Sequence, residues 1–158
     1  MSIIKQTDSD PASGLQLLQL LMQQYHVLKR LAELTNKQSP LIADNCITEL
    51  LELLLEKQRV VDDLSFVQSQ LAPFSVLDAQ QRHWPDVESR RAAQTAAKLC
   101  DELLLRISSC ESADQEALQS NRDRLAEQLS SFHQAAGAYR AYKDDHVLPQ
   151  SEHDFGLS

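Results

Sequence analysis

The sequence predicts an all-α protein, an elongated, coiled-coil-like antiparallel bundle of three to four long helices. Its 158 residues include only three glycines and five prolines, and 5% are aromatic, which argues against a β-rich or loop-rich fold. The most frequent residues include Leu, Gln, Ala and Glu, which favour long helices. Apolar residues also recur at spacings of three and four along most of the chain, the period of an amphipathic helix.

The first helix is predicted from Ser13, a suitable N-cap, to about Asn36. Residues 1–12 are polar and end in Asp-Pro-Ala, so we expect a flexible leader there. The polar run TNKQSP then predicts a break, because Ser39 precedes Pro40 and a residue before proline disfavours the α conformation. The apolar stripe of this helix comprises Leu18, Leu21, Tyr25, Leu28 and Ala32.

The second helix is predicted to begin either with Pro40 as its first residue or with Asp44 as its N-cap. We expect it to end near Ala72, because Pro73 lacks the next backbone donor. Its middle, TELLELLLEKQRVVDDL, has an apolar face wider than one partner helix needs. Such a helix either sits at the centre of a bundle or accepts an amphipathic helix from a partner. Two seams are predicted, one of Leu50, Leu54 and Leu64 and one of Leu53, Val60 and Val67.

The segment from Pro73 to Pro85 shows no sustained period and is interpreted as a crossover connection with a short helical turn. A third helix is predicted from near Asp86 to about Ser109. Its stripe comprises Ala92, Ala96, Leu99, Leu103 and Ile107.

A fourth helix is predicted to start where Ser112 and Gln115 fit a capping box. The third and fourth helices could also be one long bent helix. After Tyr142 the sequence is acidic and contains Pro149, which predicts a disordered tail over 143–158 and leaves 13–142 as a single helical domain. The stripe of the fourth helix comprises Leu118, Arg122, Leu125, Leu129, Phe132, Ala136 and Tyr139.

Charge and composition argue against several classes of function. A formal net charge of −8 opposes binding to a nucleic-acid backbone, which needs clustered basic residues. The sequence has no stretch of about twenty apolar residues, so we expect no membrane insertion. The start lacks the basic-then-apolar pattern of a signal peptide, and three cysteines without C-x-x-C spacing suggest free thiols. We therefore expect a cytoplasmic protein.

The sequence offers little for catalysis. No histidine follows a glutamate by three residues, no two histidines stand four apart, and there is no glycine-rich phosphate loop or G-x-S-x-G motif. We predict neither a cofactor nor a metal site and expect a protein that is not an enzyme. Metal or a chromophore on the purified protein would contradict this.

One family resemblance rests on the leucine-rich first helix, "LIAD", and "ITELLELLLEKQRVVDDLSFVQSQL". With its leucine pair Leu50-Leu51, then Glu56-Lys57-Gln58, the aliphatic pair Val60-Val61 and Asp44 at the helix start, this pattern resembles the FlgN family of flagellar type III export chaperones. The resemblance covers roughly residues 15 to 72 and, beyond them, the helical layout only. Helix three lacks the family's usual asparagine-bearing register, and the connection around Trp84 is longer.

The resemblance implies a small cytosolic chaperone that binds the C-terminal helical segments of the hook–filament junction (hook-associated) proteins. Such binding prevents premature assembly and delivers the clients to the export gate. In the family the C-terminal part binds the client, and a tyrosine there is implicated at the gate. This suggests an export-gate contact at Tyr139 or Tyr142, between which the sequence does not choose.

The fourth-helix stripe supplies the client-binding candidates: Leu118, Leu125, Leu129 and Phe132. These residues could equally form a seam within the protein's own core. Alternatively, the chain is a non-enzymatic coiled-coil structural or adaptor protein that self-associates, so that a second copy buries its broad apolar faces. The sequence does not decide between a monomer and a homo-oligomer.

Overall fold

The computed structural model describes the backbone of residues 13–76 and 81–155 and the side chains of 13–76 and 81–144. It confirms the all-α bundle of long helices. The elements are α1 (Gly14–Ala43), α2 (Ile47–Leu71), a short 3₁₀ helix (Ala72–Ser75) and α3 (Val87–Phe155). The predicted leader, residues 1–12, lies outside the described residues. The chain divides into two compact units, Met1–Gln115 and Glu116–Ser158.

The start of α1 is confirmed at Ser13, whose Oγ accepts a hydrogen bond from the Gln16 backbone N at 3.3 Å. Gly14 follows at once and packs against the connection that precedes α3. Its backbone N donates to the His83 carbonyl at 2.9 Å. A Cβ on Gly14 would lie 2.5 Å from the Trp84 ring, so only glycine fits without displacing this contact.

The predicted break at Ser39–Pro40 is wrong, because α1 continues through Pro40 to Ala43. Side chains of its last turns are held from α3: Gln38 Nε2 and Ser39 Oγ donate to the Asp114 carboxylate at 2.8 and 2.6 Å. These contacts stabilise helical backbone that local propensity disfavours.

The chain instead reverses within residues 44–46. Asn45 there has φ 54°, a left-handed conformation that asparagine tolerates better than most residues. Both predicted starts of the second helix are therefore wrong, since α2 begins at Ile47 with Cys46 as its N-cap. Its predicted end is confirmed, with Ala72 as the C-cap.

The first unit is a three-helix bundle. The tight turn makes α2 antiparallel to α1, and α3 runs parallel to α1, as the contacts Cys100–Leu21 and Asp114–Gln38 indicate. Phe74 of the 3₁₀ helix is buried at the end where α1 starts, and the contact of Trp84 with Gly14 places the later part of the connection at that same end. The predicted helical turn is thus present, while residues 77–80 lie outside the described part. The buried core cluster comprises Leu28, Leu31, Ala32, Leu34, Leu53, Val60, Leu64, Cys100 and Ile107.

One continuous helix replaces the predicted third and fourth helices, as the alternative interpretation allowed. Asp86 caps this helix, since its Oδ1 accepts a hydrogen bond from the Ser89 backbone N at 2.6 Å. Hydrogen bonds from the Ser89 side chain and backbone lower the pKa of the Asp86 carboxyl. The predicted capping box at Ser112 is wrong: that residue lies inside α3 and is exposed. No glycine or proline interrupts the sequence there.

The helix also continues past Tyr142 to Phe155, through most of the segment predicted as a disordered tail, of which residues 156–158 lie outside the described part. Within the first unit its buried face is offset by one residue from part of the predicted stripe. Ala96 and Ile107 are buried as expected, whereas Ala92 and Leu99 are exposed and their neighbours Ala93 and Cys100 are buried instead. Across the described residues, no helix is both long enough and apolar enough to cross a bilayer.

Candidate functional site

The predicted client-binding residues all lie on α3 in the second unit, and all are exposed. Leu118 is 44% exposed, Leu125 57%, Leu129 52% and Phe132 67%. Their sequence spacings of seven, four and three residues place them on one face of a helix. We call these four residues the α3 strip. Among the described side chains of this unit, residues 116–144, only Asn121 and Ala136 are half-buried and the others are exposed.

Two arginines lie on the same stretch of α3 as the strip. Arg122 falls within its spacing, and its Nε lies 4.0 Å from Asp123 Oδ1, with both side chains well exposed. Arg124 Nη2 donates to Asn121 Oδ1 at 3.0 Å. Exposed pairs of this kind contribute little to stability, so these groups are available to a partner's carboxylates.

The two candidate gate tyrosines, Tyr139 and Tyr142, are both exposed on α3. Tyr139 stands seven residues after Phe132 and therefore shares its face, while Tyr142 stands ten residues after Phe132 and lies about 80° away from it round the helix. The α3 strip thus continues through Tyr139 rather than through Tyr142.

A second exposed apolar surface lies on the solvent face of α2, and the sequence analysis did not separate it from the core. The buried seam of α2 is single and combines Leu50, Leu53, Val60, Leu64 and Val67. Leu54, predicted in a seam, is 40% exposed and belongs to the other face. We call that face the outer α2 strip; its members are Ile47, Leu51, Leu54, Leu55 and Val61.

A buried polar network links the three helices of the first unit. Lys57 on α2 lies in the buried seam, where its Nζ donates to Gln38 Oε1 at 2.7 Å and pairs with Glu111. Gln38 in turn donates to Asp114, which is 4% exposed. The sequence analysis missed this network. The sequence offers one sign of this network: Lys57 stands three residues before Val60, at a position that helical spacing places in the buried seam.

The cysteines are free, as predicted, with Cys100 buried and Cys46 and Cys110 half-buried. Burial, followed by the charge of Asp101, raises the pKa of the Cys100 thiol to about 11. Desolvation, then the neighbouring Glu49, raises the pKa of Cys46. Both shifts disfavour the thiolate, the form that attacks electrophiles and binds metals. The described residues contain no group of His, Cys, Asp and Glu side chains suited to hold a metal ion.

Comparison with protein-family models, curated proteins and solved structures finds no match to this chain.

Proposed function

We propose that this protein is a helix-binding export chaperone of the FlgN type, with the α3 strip as its client site. Its clients would be the C-terminal helical segments of hook–filament junction proteins. The observation that supports the proposal is the exposure of four large apolar side chains on one face of α3, since an amphipathic client helix buries such a face. The sequence resemblance described above supports the choice of clients.

In this proposal the client helix packs along the α3 strip and shields its own apolar face from premature assembly. The client segment is disordered before binding, so ordering it costs free energy and keeps the affinity moderate. The exposed guanidinium of Arg122 would pair with a client carboxylate. Tyr139 or Tyr142 would then contact the export gate.

Calorimetric titration of the full chain with the C-terminal segments of the junction proteins from the same organism tests the proposal. We expect saturable one-to-one binding, micromolar or tighter, with a gain in client helicity. Leu125→Asp should abolish binding without loss of fold, because the side chain is exposed. Ser130→Asp is the matched control, since it adds the same charge to an exposed position of α3 off the strip.

A folded sample that gives neither heat nor helicity change would reject the chaperone proposal. Self-association through the same strip is the alternative. A dimer that forms with rising concentration and dissociates in Leu125→Asp would favour it.

A further inference from the structure

We propose that the outer α2 strip is a docking surface for an amphipathic helix whose apolar stripe is flanked by lysine and arginine. This inference is independent of the client site on α3 and adds a second partner surface. It rests on the apolar area of the strip, on its helical spacing and on the charges that border it.

The apolar area is larger than folding explains. Leu55 is 69% exposed, Ile47 58% and Leu51 57%, although α2 already buries a full seam on its other side. An exposed apolar patch of about 300–600 Å² on a monomer is often functional. The strip therefore has the character of an interface.

The spacing fits a helix as the occupant. Leu51 stands four residues after Ile47, Leu54 and Leu55 stand three and four residues after Leu51, and Val61 continues the face two turns after Leu54. From Ile47 to Val61 the strip runs roughly 21 Å along α2, since a helix rises about 1.5 Å per residue. A partner helix of four turns would cover this length by ridges-into-grooves packing.

The charges select a basic partner. The exposed acids Glu52 and Asp63 lie beyond Leu55 at one edge of the strip, with Arg59 between them, and the exposed Asp62 lies on the face of the strip itself. Gln58, one turn before Asp62, lies on the same face, and its Nε2 donates to Asp62 Oδ1 at 2.9 Å. A helix with Lys or Arg beside its apolar stripe meets these carboxylates with complementary charge.

The same charges argue against other occupants. Two copies of this chain that pair face to face through the strip would bring like acids together, which is destabilising. An anionic membrane surface attracts basic amphipathic helices and repels this acidic edge. A basic helix from another protein is the occupant that the charges favour.

The test is titration of the full chain with a synthetic peptide of leucine and lysine, about 18 residues long so that it spans the strip, with its leucines at helical spacing. A peptide of the same composition in scrambled order controls for charge alone. We expect saturable binding of the helical peptide that weakens as salt screens the carboxylates.

Variants locate the site. Leu55→Asp should weaken binding by about tenfold or more, because it removes a central anchor. Leu105→Asp is the matched control, an equally exposed leucine on α3, and should leave binding unchanged. Glu52→Lys with Asp63→Lys should weaken binding about fivefold, as expected for two exposed charge pairs. The same two-charge change at Asp101 and Glu102 on α3 controls for net charge.

Several results would overturn the inference: no saturable binding, equal binding of the scrambled peptide, or equal effects of Leu55→Asp and Leu105→Asp. A dimer that Leu55→Asp dissociates would show that the strip binds a second copy instead. If Leu55→Asp fails to fold, Leu51→Gln replaces it at the neighbouring turn. Loss of peptide binding in Leu125→Asp would move the site to the α3 strip, whereas failure of the junction-protein titration alone leaves this inference standing.

Discussion

Replacing Asp114 with alanine tests whether the buried polar network stabilises the three-helix unit. Asp114 is 4% exposed and accepts hydrogen bonds from Gln38 Nε2 and Ser39 Oγ, both on the last turns of α1. These bonds connect α3 to the part of α1 that contains Pro40. Alanine removes both acceptors and leaves the buried Gln38 amide with one fewer partner.

The expected loss in free energy of unfolding is about 3 kcal/mol. A hydrogen bond to a charged group contributes roughly 1.5–3 kcal/mol, and a buried donor left unsatisfied costs about 1–3 kcal/mol. The carboxylate's own desolvation offsets part of this, and exposed Ser39 can turn to water. Asp114→Asn retains one acceptor oxygen and should lose less.

Urea denaturation followed by fluorescence measures this loss in the relevant unit, because Trp84 is the only tryptophan and packs against Gly14. We expect a lower midpoint with an unchanged slope. Asp123→Ala, at an exposed site on α3, should change the free energy by less than about 0.5 kcal/mol. A loss below about 1 kcal/mol for Asp114→Ala would refute the reasoning, since the network would then be incidental to stability.

Three further substitutions address other contacts. Gly14→Ala should lower the free energy of unfolding by about 1–3 kcal/mol, because its Cβ would collide with the Trp84 ring. A shift of the Trp84 emission maximum would accompany this loss, and an unchanged midpoint of urea denaturation would contradict the expectation. Lys57→Met should cost about 1–2 kcal/mol in urea denaturation, less than Asp114→Ala, because methionine keeps the apolar stem and removes a buried charge. The fold raises the pKa of the Cys100 thiol from 9.0 to about 11, so its contribution to stability is intact below pH 9 and is lost as the pH rises towards 11. Denaturation at both ends of this range should show a smaller decline in the free energy of unfolding for Cys100→Ala than for the unchanged protein.

The fold class could be predicted from the sequence because it depends on helical periodicity, which a sequence displays directly. The cap at Ser13, the end of α2 at Ala72 and the start of α3 after Asp86 are local signals, each expressed by one side chain or one proline. The break at Pro40 was predicted wrongly because the contacts that override it come from Asp114, more than seventy residues away. Local patterns contain no information about such partners.

The candidate site was predictable only in part. The spacing of Leu118, Leu125 and Leu129 shows that they share a face, and the sequence cannot tell an exposed face from a core seam. The structure places them in water. On α2, the prediction that Leu54 lies in a buried seam is wrong, because its side chain is 40% exposed. The buried positions around it include Lys57, and a charged residue at such a position hides the seam from a hydrophobic pattern.

The leucines of the outer α2 strip and of the α3 strip share a high exposure, which determines how much they contribute to stability. Because Leu55 and Leu125 are more than half exposed, each buries little in the described chain, and a polar substitution at either should leave the free energy of unfolding nearly unchanged. The same substitution in the buried seam, such as Leu53→Asp, would place a charge in the core and unfold the first unit. If folding does not require these exposed leucines, they are free to contact another molecule, as the two proposals state. The paired measurement of unfolding and binding in Leu55→Asp and Leu125→Asp separates the two roles: unchanged unfolding with lost binding identifies an interface, and lost unfolding free energy would return the residue to the core.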